Sequence, residues 1–398
     1  MDKINEVLTR GVEKIYPTKE ALEKVLRSGQ KIRLYQGFDP SMPNLHLGHT
    51  VGLLKLKQFQ ALDCEVIFLV GDFTGMIGDP TDKSATRQKL TREQTLKNCA
   101  NWKKQAEKIL RFNGENPAKI MFNSDWLDKI TFKDLIEITS NFTVQQMIER
   151  DSFQKRLKEN KPIHLHEFLY PVAVAIDCVE MDVDLELGGS DQIFNMLAGR
   201  TLMRALKGKE KFVMGMKLLV DAQGNKVGKT AGNALFLNAS AADLFGGVMS
   251  FPDETLIPAF ELLTEAPLQW IKEQERLVQS NGLNPMDLKK QLALAIVKIH
   301  HGQAEAAATQ KEFERVFQKR GAPEEAEVIK VKAGETDIIE LLVNNSLISS
   351  RAEAKRLIAQ GGVDVDGKKL EIKNSKLEIK NHMIIKIGKR KFARLEVK

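Results

Sequence analysis

Lys31-Ile32-Arg33-Leu34-Tyr35-Gln36-Gly37 runs through Phe38 into Asp39-Pro40-Ser41-Met42-Pro43-Asn44, and His46-Leu47-Gly48-His49 follows. The first seven residues read as a strand, and the Pro- and Asn-bearing hexapeptide as a turn. A helical pattern opens near Gly48, with Val51, Leu53, Leu54 and Leu56 apolar. Residues 66–70 form a continuous apolar run, as expected of a strand buried on both faces. Strand, helix and strand in that order make a βαβ unit, whose natural architecture is an α/β fold with a parallel sheet.

Outward from this unit, helical periodicity dominates residues 92–151. Residues 182–189 alternate like a strand and end in Gly188-Gly189-Ser190-Asp191-Gln192. A further strand and turn are expected at 217–224. Residues 239–319 read as helical, punctuated by Pro252, Pro258, Pro267 and Pro285. Arg320-Gly321-Ala322-Pro323-Glu324-Glu325 looks like a hinge. Beyond it, 337–347 and 350–360 read as short helices, and Gly361-Gly362 introduces alternating strands.

At 398 residues the chain exceeds one compact core. Its longest apolar run, residues 168–176, is nine long and contains Pro171, far short of a membrane span. The first thirty residues lack the apolar or acid-poor character of a targeting segment. Three cysteines without a CxxC pair argue against a disulfide framework or a cysteine zinc site. The chain reads as cytosolic. Its 60 Lys+Arg outnumber 53 Asp+Glu, a net charge of +7. Residues 331–398 alone carry +6 of that excess, which suits a phosphate-bearing partner.

His46 and His49 lie three apart at a helix start, where free N–H groups and the positive dipole end favour anions. Gly48 between them has no side chain to block a flat group. Lys226-Val227-Gly228-Lys229-Thr230 sits in a glycine-rich loop, placing two lysines where they can fold over a polyphosphate. The Gly-x-x-x-x-Gly-Lys spacing of a P-loop is absent. Each motif alone is a weak signal, but together they point to chemistry at a nucleotide phosphate.

The pair resembles the two signature motifs of class I aminoacyl-tRNA synthetases. The finer resemblance is to tyrosyl-tRNA synthetases of bacterial type, over essentially the whole chain. Tyr35-Gln36-Gly37-Phe38-Asp39-Pro40, Gly78-Asp79-Pro80, Gly188-Gly189-Ser190-Asp191-Gln192 and the tail carry it. Leu47 replaces the first motif's Ile, and Val227-Gly228 and Thr230 replace Met-Ser and Ser in the second.

The resemblance implies a Rossmann-like catalytic domain at 1–235 with a dimer-forming insertion. It also implies an α-helical anticodon-stem domain at 236–320, a linker at 321–335 and a basic α+β RNA-binding domain at 336–398. ATP with Mg²⁺, tyrosine or a close analogue, tRNA and a second copy of the chain are the implied partners, with no membrane and no resident metal. Asp39, Ser41, Gly48, Asp191 and Gln192 are implied at ATP or the adenylate, together with His46 and His49. Lys83, Arg87, Lys226 and Lys229 are implied at the pyrophosphate, and Thr230 of the same loop as a further catalytic residue. Tyr35 and Asp177 correspond to readers of the phenol, Tyr170 and Asp79 to holders of the ammonium, and Asn123 to a further polar pocket residue.

One stretch departs from the family. Val174-Ala175-Ile176-Asp177 stands where Gln-Gly-Tyr-Asp is usual, so Val174 replaces a polar contact to the substrate's amino end, and Cys178-Val179-Glu180-Met181 is also atypical. Drift with compensation, a recoded pocket and a weakly activating paralogue all remain open. In the tail, Arg351 and Lys355 fall on one helical face with Arg356 beside them, resembling a small RNA-binding module. The region 122–151, with Leu135, Ile138 and Phe142, matches the family's subunit contact. Rivals are the related tryptophanyl enzyme and a non-charging RNA-binding paralogue.

Overall fold

The computed structural model describes residues 2–79, 90–227, 234–317, 327–331, 334–366, 368–370, 376–380, 383–388 and 391–397. They gather into two compact units, Met1–Gly302 and Gln303–Lys398. The first is built on six strands: β1 (Val12–Tyr16), β2 (Arg33–Phe38), β3 (Glu65–Val70), β4 (Lys119–Phe122), β5 (Leu185–Gly189) and β6 (Phe212–Met216). Their order is β1-β6-β5-β2-β3-β4. β6, β5, β2, β3 and β4 run parallel, and β1 closes one edge antiparallel to β6. The parallel sheet expected from residues 31–70 is therefore present.

Val66–Val70 is uniformly apolar because it is covered on both faces; all five residues are buried. The helix Leu47–Gln60 packs on one side of β2 and β3. On the other, Tyr35, Ile67 and Leu69 meet Cys178, Met181 and Met203 from the helices Leu165–Glu180 and Ile193–Lys207 and the turn between helix and β5. Burying each such apolar side chain contributes roughly 1.5–3 kcal/mol. Ile193–Lys207 stops at Gly208, whose φ of +61° closes the helix in the left-handed region. The helices beyond residue 239 begin within this same unit, and Leu256–Leu263 packs against Leu47–Gln60. Arg10, 5 % exposed, ties the N-terminus to them by donating to the carbonyls of Glu261, Thr264 and Ala266.

Two sequence expectations need adjustment. Helices dominate residues 92–151 as expected, but β4 interrupts them. It is a four-residue edge strand with Lys119 exposed, too short to register as a periodicity. The strand expected at 217–224 lies one segment earlier, at β6. Residues 221–225 instead form a turn in which Asp221 Oδ1 accepts the backbone N–H of Gln223 and Asn225.

β2 has β3 on one side and β5 on the other, so the direction of chain progression reverses there. The crevice beyond the carboxyl ends of β2 and β5 is the switch point where open α/β sheets bind ligands.

The second unit begins with the helix Gln303–Phe317 and contains a five-stranded sheet, ordered Lys368–Lys369, Val363–Val365, Ile384–Ile387, Lys391–Val397 and Glu327–Val331. A two-stranded ribbon pairs Lys376–Ile379 with Gly334–Asp337. Its helices Ile338–Asn344 and Arg351–Ala359 are capped by Asp337 and Ser350, and Ile338, Leu342, Ala354, Val363, Ile385 and Leu395 form a core of its own. Among the described residues no helix is long and apolar enough to cross a membrane.

Candidate active site

A cavity of about 210 Å³ opens at the switch point. Tyr35, Asp39, Ser41, His46, His49, Asp79, Asn123, Tyr170, Val174, Asp177 and Gln192, all singled out from the sequence, line it. Gly48, Asp191 and Lys226 are outside this lining. Lys83, Arg87, Lys229 and Thr230 lie outside the described residues.

His46 is the N-cap of Leu47–Gln60, and with His49 it forms a reciprocal capping box. His46 Nδ1 accepts the Gly48 N–H at 3.1 Å, and His49 Nδ1 accepts the His46 N–H at 3.0 Å. With Nδ1 occupied as an acceptor on each neutral ring, the ring protons reside on both Nε2 atoms. The pair therefore presents N–H donors at a helix N-terminus, a suitable arrangement for an anion. Gly48 has a local reason as well: a Cβ there would stand 2.9 Å from the His46 ring.

A continuous hydrogen-bond chain crosses the cavity. Tyr170 donates its hydroxyl to Asp39 Oδ2 at 2.7 Å, and Thr74 donates to Asp39 Oδ1 at 2.6 Å. Asn123 Nδ2 donates to Thr74 Oγ1 at 3.0 Å and to Asp177 Oδ2 at 3.2 Å. Trp126 Nε1 completes it by donating to Asp177 Oδ1 at 2.8 Å. Burial pushes the Asp177 carboxyl well above its ordinary range, while Trp126 and Asn123 oppose that shift. Burial likewise pushes the Tyr35 and Tyr170 phenols up, so both remain neutral hydroxyls. Gly71 makes room for the chain, since a Cβ there would fall 2.0 Å from Asp39 Oδ1.

Asp79 is held by Arg150, which is 3 % exposed and donates Nη2 at 2.7 Å, and by Gln192 Nε2. Beside Tyr35 lies a buried ion pair of Lys211 and Glu186. Lys211 also donates to Cys178 Sγ at 3.1 Å and to the Met196 carbonyl at 3.0 Å. Tyr35 Oη lies 3.2 Å from the same sulfur. Burial and the Glu186 charge push the Cys178 thiol up to about 12, so it is protonated. Sequence reasoning missed Thr74, Trp126, Arg150, Glu186 and Lys211. It noted Cys178 only as atypical. Lys226, outside the lining, pairs with Asp191 at 2.6 Å.

In the second unit, Arg351, Lys355 and Arg356 are all exposed along one helix. Arg351 forms an ion pair with Glu340.

The family described as tRNA synthetases class I (W and Y) matches residues 27–318, and that described as tyrosine–tRNA ligase SYY-like C-terminal domain matches 318–395. The fold and the cleft thus define a class I aminoacyl-tRNA synthetase. A tyrosine–tRNA ligase of Thermotoga maritima is 41 % identical, with 98 % of this chain and 96 % of the relative covered. One of Geobacter metallireducens is 42 % identical, with 98 % of each covered. The chain belongs to the tyrosine–tRNA ligase family. A solved mitochondrial tyrosyl-tRNA synthetase of Coccidioides posadasii, C-terminally truncated, shares the fold at a TM-score of 0.62 and 22 % identity. That likeness covers 78 % of this chain and 91 % of the other.

Proposed function

We propose that this cleft joins tyrosine to ATP and passes the tyrosyl group to the terminal ribose of a tRNA. The observation that carries the reading is the presence, in one cavity, of two histidines whose Nδ1 atoms accept backbone N–H groups at a helix start, and of Tyr35 with the doubly held Asp177. The substrate carboxylate attacks the α-phosphate of ATP, forming a tyrosyl-adenylate and releasing pyrophosphate. The ribose hydroxyl then takes the tyrosyl group and AMP leaves. Neither step needs a protein nucleophile, so catalysis rests on positioning and charge stabilisation.

In this reading His46 and His49 donate to phosphate oxygens, with Asp39, Ser41, Gly48, Asp191 and Gln192 around the nucleotide. Lys83, Arg87, Lys226, Lys229 and Thr230 steady the departing pyrophosphate. Mg²⁺ enters with ATP as part of that substrate, held by its phosphates. Tyr35 and Asp177 read the phenol, and Tyr170, Asp79 and Asn123 serve the rest of the amino acid. Val174 offers no hydrogen bond at the position where the family usually has Gln.

The second unit supplies the tRNA contact through Arg351, Lys355 and Arg356. The chain works as a cytoplasmic homodimer. The exposed apolar side chains Phe132, Ile136, Val144 and Leu165 support the dimer, since exposed apolar surface favours a partner.

ATP–pyrophosphate exchange with tyrosine, phenylalanine, tryptophan and ring-substituted tyrosines tests the function. Exchange with tyrosine well above the other natural amino acids is expected. Silence with tyrosine alongside activity with another amino acid would overturn the assignment, and silence with all would indicate a non-charging RNA binder.

A further inference from the structure

Glu186 has no part in the reading above, yet it lines the cavity and is 4 % exposed. On the parallel strands β2 and β5, its Cα is the register partner of Tyr35. The two residues therefore stand side by side on one face of the sheet, at the spacing of neighbouring strands. All contacts to the Glu186 carboxylate converge on one oxygen: Oε2 receives the Lys211 ammonium and lies 3.3 Å from the Cys178 thiol. Oε1 accepts no hydrogen bond among the described residues.

Lys211 is the ion-pair partner of this carboxylate. Its three N–H bonds are spent on Glu186, Cys178 Sγ and the Met196 carbonyl, so it has no donor left for a ligand. The space for the ammonium is provided by Gly199, where a Cβ would stand 2.6 Å from Lys211 Nζ and 2.5 Å from Cys178 Sγ. An ion-paired carboxylate thus lies next to the group proposed to read the phenol. A plain phenol, engaged by Tyr35 and Asp177, has no second donor to give it.

We propose that Glu186 Oε1 is a specificity-determining acceptor in this pocket. On this basis the pocket also activates tyrosines bearing a second hydrogen-bond donor on the ring carbon next to the phenol, namely catechol and ortho-aminophenol side chains. The inference rests on the proposed activation of tyrosine and extends it to a further substrate class. A donor on that carbon reaches Glu186 when the phenol sits between Tyr35 and Asp177. A methyl group in the same place fills similar space and leaves Oε1 unpaired beside an apolar surface.

The test is ATP–pyrophosphate exchange with tyrosine and its 3-hydroxy, 3-amino and 3-methyl derivatives. It compares the natural chain with a Glu186→Gln, Lys211→Gln double variant, which removes both charges together and leaves neither buried alone. In the natural chain, kcat/KM for the hydroxy and amino derivatives should exceed that for the methyl derivative by about tenfold to a hundredfold, the worth of a hydrogen bond to a charged group. In the variant that preference should shrink severalfold or more. Equal use of the three derivatives by the natural chain overturns the inference. So does a preference that survives undiminished in the variant. Tyrosine measured alongside reports separately on the activity itself: no exchange with tyrosine indicts the activation reading, whereas active tyrosine with indifferent derivatives indicts only the role of Glu186. Because the readout is a ratio within one protein, partial loss of folded variant cancels.

Discussion

The indole of Trp126 donates to Asp177 Oδ1 at 2.8 Å, while Asn123 holds Oδ2 of the same buried carboxylate at 3.2 Å. These two donors oppose the upward push of burial on Asp177. Trp126→Phe keeps an aromatic ring and removes one donor. The expected result is a kcat/KM for tyrosine lower by about tenfold to a hundredfold, with less effect on phenylalanine. Without Trp126 the carboxyl is pushed further up, so its ionised fraction grows as pH rises. The variant's loss should therefore be largest at acidic pH and recover toward alkaline pH. A loss independent of pH and equal for both amino acids would argue that Trp126 serves packing alone.

Val174 lines the cavity and is half-buried. In the proposed reading, Val174→Gln offers a polar group toward the amino end of the substrate. A hydrogen bond to that charged group is worth about 1.5–3 kcal/mol, so KM for tyrosine should fall roughly tenfold or more, measured by pyrophosphate exchange. An unchanged KM would mean that the chain already compensates for the missing amide.

His300 is 2 % exposed, and its Nε2 lies 3.5 Å from Thr50 Oγ1 on the helix that carries His49. Burial, together with the nearby charges of Lys108 and His301, lowers its pKa from 6.5 to about 3. The unfolded chain binds this proton more readily, so the stabilisation is complete above about pH 6.5 and is lost as pH falls toward 3. His300→Phe removes that linkage. Urea midpoints of the natural chain should drop more steeply than those of the variant between these limits. Parallel slopes would sink the attribution to His300.

Deleting the residues beyond 322 removes most of the second unit. Tyrosine-dependent pyrophosphate exchange should persist, and charging of tRNA should fall by orders of magnitude. Equal loss of both activities would mean that the tail also supports the first step.

Phe132 and Leu165 are 77 % and 80 % exposed in the single chain. Substituting both by Asp should convert a dimer to a monomer in light scattering. A natural chain that is already monomeric at micromolar concentration would refute the assembly.

How much of this could be read from the sequence follows from what each residue does locally. His46 and His49 stood out because a helix start confines them to one face, three residues apart. The buried strand at residues 66–70 was legible because both faces are covered, which leaves an unbroken apolar run. Trp126, Arg150, Glu186 and Lys211 gave no such signal. Each is an ordinary polar or aromatic residue whose partner lies far away along the chain, and only strand register and helix packing join them. Trp126 and Asp177 are 51 residues apart, Arg150 and Asp79 71, and Lys211 and Glu186 25. β4 was lost among helices because four residues at a sheet edge leave no usable period.

Gly199 carries a consequence for how this pocket can change. It stands against the Lys211 ammonium and does not line the cavity, yet any side chain there would push against Lys211 and Cys178 together. The displacement would travel through Glu186 to the floor beside Tyr35. A screen for altered amino-acid preference would thus recover changes at a position outside the cavity wall, and a map restricted to wall residues would miss them.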